Sequence, residues 1–124
     1  RSNILTIVRD KLEQGQSYNV VDDQFRTPTY VEDLADGIVR IINRQAKGIY
    51  HLSGEDLLTP YQMALLTADH LGLDKNLIHR AMAADFSQPA RRPVNTSLII
   101  EKAKRVLGYA PVSFEEGLKK MFED

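Results

Sequence analysis

Three arginines on two proline-containing loops are the residues of this chain best suited to chemistry. Arg26 stands in the turn Asp22-Asp23-Gln24-Phe25-Arg26-Thr27-Pro28-Thr29, between an apolar run at 18–21 and a strongly periodic segment at 31–44. Pro28 fixes its own φ and pushes Thr27 towards an extended conformation, so Arg26 is carried on a stiffened loop. A guanidinium held in that way suits a phosphate, because its planar fork donates paired hydrogen bonds. The same residues also make an ordinary strand-to-helix connection, with Arg26 paired to Asp22, Asp23 or Asp33. The second loop, residues 85–96, carries the adjacent cations Arg91 and Arg92, and two prolines keep it out of regular helix. Two arginines without interleaved aromatic residues are a weak nucleic-acid signal, and a solvated charge pair is the simpler use.

Several chemistries have no residues to run them. Cysteine is absent, which removes disulfides, thiolate metal sites and a cysteine nucleophile. His51 has no Asp, Glu or His at metal-like spacing. The seven glycines form no Gly-x-Gly-x-x-Gly turn, and none of the five tyrosines has a lysine four residues later. A net charge of −1 provides no global field to recruit nucleic acid or an anionic membrane. No apolar run is long enough to span a bilayer and no signal-peptide pattern opens the chain. Together with the absence of cysteine, this sets a cytoplasmic expectation. At 124 residues, 43% of them hydrophobic, the chain is one domain or part of one. It opens without Met, which reads as a processed, truncated or engineered product.

The elements that must position these residues follow from periodicity and punctuation. Ile4, Ile7, Val8 and Leu12 share one face of a helix over 3–14, capped by Ser2 or Asn3 and ended by Gly15. Residues 18–22 predict a short strand. Leu34, Ile38, Ile41 and Ile42 form a stripe on a helix over 31–44, acidic early and basic late, as the helix dipole favours. Residues 49–52, between Gly48 and Gly54, predict a second strand. Thr59-Pro60-Tyr61-Gln62 is a capping box with Pro at the first helical position, and its helix runs to Gly72. Residues 77–83 predict an extended segment. A helix over 98–107, capped by Thr96 or Ser97 and closed by Gly108, precedes a last helix opened by a second capping box, Ser113 to Glu116.

The ordered set Asp23-Gln24, Pro28-Thr29, Tyr30-Val31, Asp33-Leu34-Ala35 and Gly48-Ile49-Tyr50-His51-Leu52-Ser53-Gly54 resembles the C-terminal part of the dTDP-4-dehydrorhamnose reductase family. Arg92-Pro93-Val94-Asn95-Thr96-Ser97-Leu98 is similar to that family's Arg-Pro, Ser-Leu pattern ahead of a helix. The resemblance covers nearly the whole chain. It implies an α/β fold: a mostly helical fragment with short strands, the substrate-binding part of a Rossmann-type extended short-chain dehydrogenase. Residues 1–124 would be a single substrate-binding region, with the N-terminal Rossmann domain outside this chain. The segment 49–52 would then join the edge of that domain's sheet.

The implied function is the substrate-binding portion of an NAD(P)-dependent nucleotide-sugar oxidoreductase, most closely a reductase of a 4-keto nucleotide sugar. The resemblance implies substrate contacts at Asn3, Arg26, Thr27, Arg91 and Arg92, with Arg26 and one of Arg91 or Arg92 at the diphosphate. Asn3 equally serves as a helix cap. It places NAD(P)H on the parent's Rossmann domain, none on this chain, and no catalytic residue or metal ligand here. Implied partners are the nucleotide sugar and the chain's own Rossmann domain, with a homodimer open, and neither nucleic acid nor membrane. An Arg in the 22–29 turn is more typical of the epimerase and dehydratase branches, so these remain alternatives. So does a non-catalytic adaptor subunit of the same fold.

Overall fold

The computed structural model describes residues 2–123. In chain order it contains α1 (Ile4–Glu13), β1 (Tyr18–Val21), α2 (Val31–Asn43), α3 (Pro60–Leu71), β2 (Ile78–Ala81), α4 (Glu101–Leu107) and α5 (Phe114–Phe122). Single 3-10 turns lie at Lys75–Leu77 and Ala83–Asp85. The class is α/β, with two compact units. The first takes the residues up to Arg26 together with Leu58–Thr96, and the second takes Thr27–Leu57 and the chain from Ser97 onward.

The first unit is built on a two-stranded parallel sheet, β1 beside β2, in register from Tyr18–Ile78 to Val21–Ala81. Parallel strands need a crossover, and α3 lies on it. The core joins Val8 and Leu12 of α1, Val20 of β1, Ala64 and Ala68 of α3, and Ile78 of β2. Val8 and Leu12 are one helical turn apart, so both face α3. The two alanines there are fully buried and leave room for α1 to approach closely.

Local signals set the helix starts. Asn3 Oδ1 accepts the Thr6 N–H at 3.1 Å, and Thr6 Oγ1 accepts the Asn3 N–H at 3.0 Å. Thr59 Oγ1 accepts the Gln62 N–H at 3.2 Å, with Gln62 Oε1 accepting the Thr59 N–H at 2.9 Å. Each box satisfies backbone donors that the first helical turn leaves unpaired. The turn after β1 is stapled by isolated bridges, Phe25 to Asn95 and Arg26 to Leu58.

The second unit packs α2 against α4. Ile100, Ala103, Leu107 and Tyr109 form its core, with Ile41, Tyr50 and Leu52 against them. Arg40 Nη1 donates to the Leu107 carbonyl at 3.1 Å and Arg44 Nη1 to the Val106 carbonyl at 2.6 Å. Both cations therefore satisfy carbonyls left open at the C-terminal end of α4. Ser113 Oγ accepts the Glu116 N–H at 3.2 Å, and this is the half of the expected second box that forms.

Two expectations fail. Residues 49–52 form no strand. A strand needs a neighbouring backbone to pair with, and none of the described residues supplies one there. Tyr50 and Leu52 instead pack on the α4 core, and the Ile49 carbonyl accepts from Lys102 Nζ at 2.9 Å. The helix predicted over 98–107 starts only at Glu101, after Ile100 and without a side-chain cap. The N–H groups that would open it are engaged elsewhere: Thr96 N–H donates to the Phe25 carbonyl at 3.0 Å and Leu98 N–H to Thr27 Oγ1 at 3.2 Å.

Candidate functional site

A cavity of about 1040 Å³ opens within the first unit. Its wall combines the start of α1, the strand β1, the turn after β1 and the segment from Ala83 to Val94. Four of the five expected contact residues line it: Asn3, Arg26, Arg91 and Arg92. The fifth, Thr27, does not, and its hydroxyl oxygen is occupied by the Leu98 N–H. The charged wall residues are Arg26, Arg91, Arg92 and Asp23, so the cavity carries an excess of positive charge.

The carboxylates around Arg26 are committed to other groups. Asp22 Oδ1 accepts from Thr59 Oγ1 at 2.6 Å, and its Oδ2 pairs with Arg80 Nε at 2.7 Å. Asp23 Oδ1 accepts the Ala83 N–H at 2.9 Å, and Asp33 Oδ2 accepts the Val112 N–H at 2.9 Å. Among the described residues no carboxylate lies at ion-pair distance from Arg26, Arg91 or Arg92. The pairing of Arg26 with an acidic neighbour is therefore not made. Among the described residues its Nη2 donates only to Gln24 Oε1, at 3.3 Å, and its backbone is held on both sides by Leu58 at 2.9 Å. A half-buried cation with a fixed backbone and open donors is chemically able to take an external anion.

Asn3 is the helix cap and also lines the cavity. Its Oδ1 caps α1, so what remains for the cavity is its Nδ2 donor pair. The polar wall residues Asn19, Gln24 and Gln88 and the aromatic Phe86 had no distinguishing mark in the sequence. Of these, Gln24 was legible only as a member of the Asp23-Gln24 pair, and its burial is a tertiary property. Tyr18 also lines the cavity. Burial pushes its phenol above the usual range, so it stays a neutral hydroxyl rather than a base. Among the described residues no cluster of three His, Cys, Asp or Glu could hold a metal ion, and no helix is long and apolar enough to cross a membrane.

Gly15, Gly72 and Gly108 have positive φ, but they follow the ends of α1, α3 and α4 instead of joining a strand to a helix N-terminus.

The α/β fold that carries this arginine-lined cavity is shared with enzymes of the extended short-chain dehydrogenase class. The chain belongs to the RmlD substrate binding domain family, which matches residues 1–124. It is 31% identical over 111 residues to the dTDP-4-dehydrorhamnose reductase of Aggregatibacter actinomycetemcomitans, covering 81% of this chain and 38% of that protein. It is 32% identical over 108 residues to methionine adenosyltransferase 2 subunit beta of Xenopus tropicalis, covering 82% of this chain and 32% of that protein. A crystal structure of dTDP-4-dehydrorhamnose reductase from Bacillus anthracis str. Ames in complex with NADP superposes with a TM-score of 0.87 at 25% identity, covering 98% of this chain and 43% of that one. The chain thus spans between about a quarter and two-fifths of the length of the curated relatives it matches.

Proposed function

We propose that residues 1–124 are the nucleotide-sugar-binding region of an NAD(P)-dependent reductase that acts on a 4-keto nucleotide sugar. The observation that carries this is the cavity wall: three arginines with no carboxylate partner among the described residues, in a chain of this family. Arg26 and one of Arg91 or Arg92 would hold the diphosphate, and Asn3 would donate to a ligand oxygen. Thr27 would act through its loop, by keeping Leu98 in place. NAD(P)H would sit on a Rossmann domain in the rest of the parent protein and supply hydride when bound there. The residues of this chain would bind and orient the sugar and contribute no proton donor. The parent would work in the cytoplasm, on a soluble substrate.

Calorimetric titration of dTDP-glucose into the 124-residue chain tests the reading. Each charge-assisted bond contributes about 1.5–3 kcal/mol, so Arg26→Ala should weaken binding by about tenfold or more, and Arg92→Ala similarly. Equal affinity in the wild type and the double variant would refute it. A second reading, a non-catalytic adaptor, draws on the relative named as a subunit of a methionine adenosyltransferase. It is favoured if dTDP-glucose does not bind at all.

A further inference from the structure

Gln24 is 6% exposed, yet it forms part of the cavity wall. Burying an amide is costly unless both its ends are satisfied. One end is settled by chemistry. An arginine can only donate, so the group facing Arg26 Nη2 at 3.3 Å must be the Gln24 carbonyl oxygen. That fixes the amide, and the Nε2 donor pair points away from Arg26. Among the described residues nothing accepts from Nε2, and no fully buried side-chain nitrogen or oxygen is left without a partner. Nε2 therefore keeps contact with solvent, and the opening that this buried residue borders is the cavity.

We propose that Gln24 reads an oxygen acceptor of the ligand, a sugar hydroxyl or carbonyl, immediately beside the anion held by Arg26. This rests on the reading of the cavity as a nucleotide-sugar site. The two side chains act as one unit. Donation from Arg26 into the Gln24 carbonyl polarises the amide and strengthens its N–H groups as donors. Arg26 then supplies charge for the phosphate, while Gln24 supplies a neutral, directional pair for the atoms next to it. A sugar oxygen suits that pair, since a neutral amide is a weaker phosphate ligand than the arginines alongside. The oxygen belongs either to the nucleoside sugar or to the sugar beyond the diphosphate.

The test titrates inorganic pyrophosphate, thymidine diphosphate and dTDP-glucose into the wild-type chain and the variants Gln24→Met and Gln24→Glu. Any loss of Arg26 orientation falls on all three probes, so the ratio of dTDP-glucose to pyrophosphate affinity isolates the contribution of Gln24. That ratio should fall by about tenfold in Gln24→Met, the size of one hydrogen bond. In Gln24→Glu it should fall as well, and pyrophosphate itself should bind more weakly because the new carboxylate neutralises Arg26. A matching fall for thymidine diphosphate assigns the oxygen to the nucleoside sugar; a fall confined to dTDP-glucose assigns it to the second sugar. Either supports the proposal. An unchanged ratio in variants that still bind pyrophosphate, or a wild-type ratio near one, overturns the role of Gln24 and leaves Arg26 intact. Failure of the wild type to bind pyrophosphate overturns the anion site and this inference together. Should Gln24→Met not fold, the isosteric Gln24→Glu decides the question by the same ratio.

Discussion

Replacing Thr59 with valine should loosen the turn that carries Arg26, and the structure gives the size of the effect. The Thr59 side chain is 1% exposed. Its hydroxyl accepts the Gln62 N–H at 3.2 Å and donates to Asp22 Oδ1 at 2.6 Å. Asp22 in turn holds Arg80 at 2.7 Å, and the Arg80 guanidinium lies 5.0 Å over the Tyr61 ring. Valine keeps the shape and removes both bonds. Loss of the helix cap costs about 1 kcal/mol. Loss of a hydrogen bond to a charged group costs about 1.5–3 kcal/mol. The two share one oxygen and are not independent, so the expected destabilisation is about 2–4 kcal/mol. Urea unfolding followed by circular dichroism measures it, with the slope unchanged and the midpoint lowered. Thr59→Ser keeps the hydroxyl, and its loss should stay near 1 kcal/mol, about that of one buried methyl. A Thr59→Val protein within about 0.5 kcal/mol of wild type would show that the cap and the carboxylate bond do not hold this turn.

Three further outcomes concern the second unit. Tyr109 is 2% exposed and its hydroxyl donates to the Ser53 carbonyl at 2.9 Å; Tyr109→Phe leaves that carbonyl unpaired and should cost about 1–3 kcal/mol in thermal or urea unfolding. Burial, then the Asp33 and Asp36 carboxylates, push the Tyr109 phenol up to about 12. Below pH 10 this contribution to stability is complete. Between about 10 and 12 the unfolded chain has released the proton while the folded one retains it, so stability falls as pH rises; an equally steep alkaline fall in Tyr109→Phe would refute the assignment. Gly54→Ala places a Cβ into the Pro28 carbonyl oxygen, and since backbone must move to admit it, a loss of about 1–3 kcal/mol is expected in a thermal melt.

Much of the site was legible because its signals are local. Pro28 marked the Arg26 loop as stiff, and the Arg92-Pro93 step marked the second loop. The structure brings both arginines to one cavity. What remained open was the partner of Arg26. Asp22, Asp23 and Asp33 are all near it in sequence, and adjacency could not reveal that each was already bonded to Thr59 and Arg80, to Ala83, or to Val112. Gln24 stood out only as a member of the Asp23-Gln24 pair, because a glutamine in a polar turn looks solvated until the fold buries it.

By itself the sequence determined the helices and most of their starts. Asn3, Thr59 and Ser113 cap the N–H groups of residues three positions on, and in α1 the apolar spacing marks Val8 and Leu12 for burial, whereas the Leu34, Ile38 and Ile42 stripe of α2 stays exposed. These interactions span at most one helical turn and need no knowledge of the rest of the chain. The tertiary structure alone decided which backbones meet. It pairs β1 with β2 across about sixty residues of sequence, denies 49–52 a strand neighbour, and diverts the N–H groups of Thr96 and Leu98 to Phe25 and Thr27 so that α4 begins late. A strand or a paired charge exists only where a second segment arrives with a free complementary group, and that depends on closure of the whole chain.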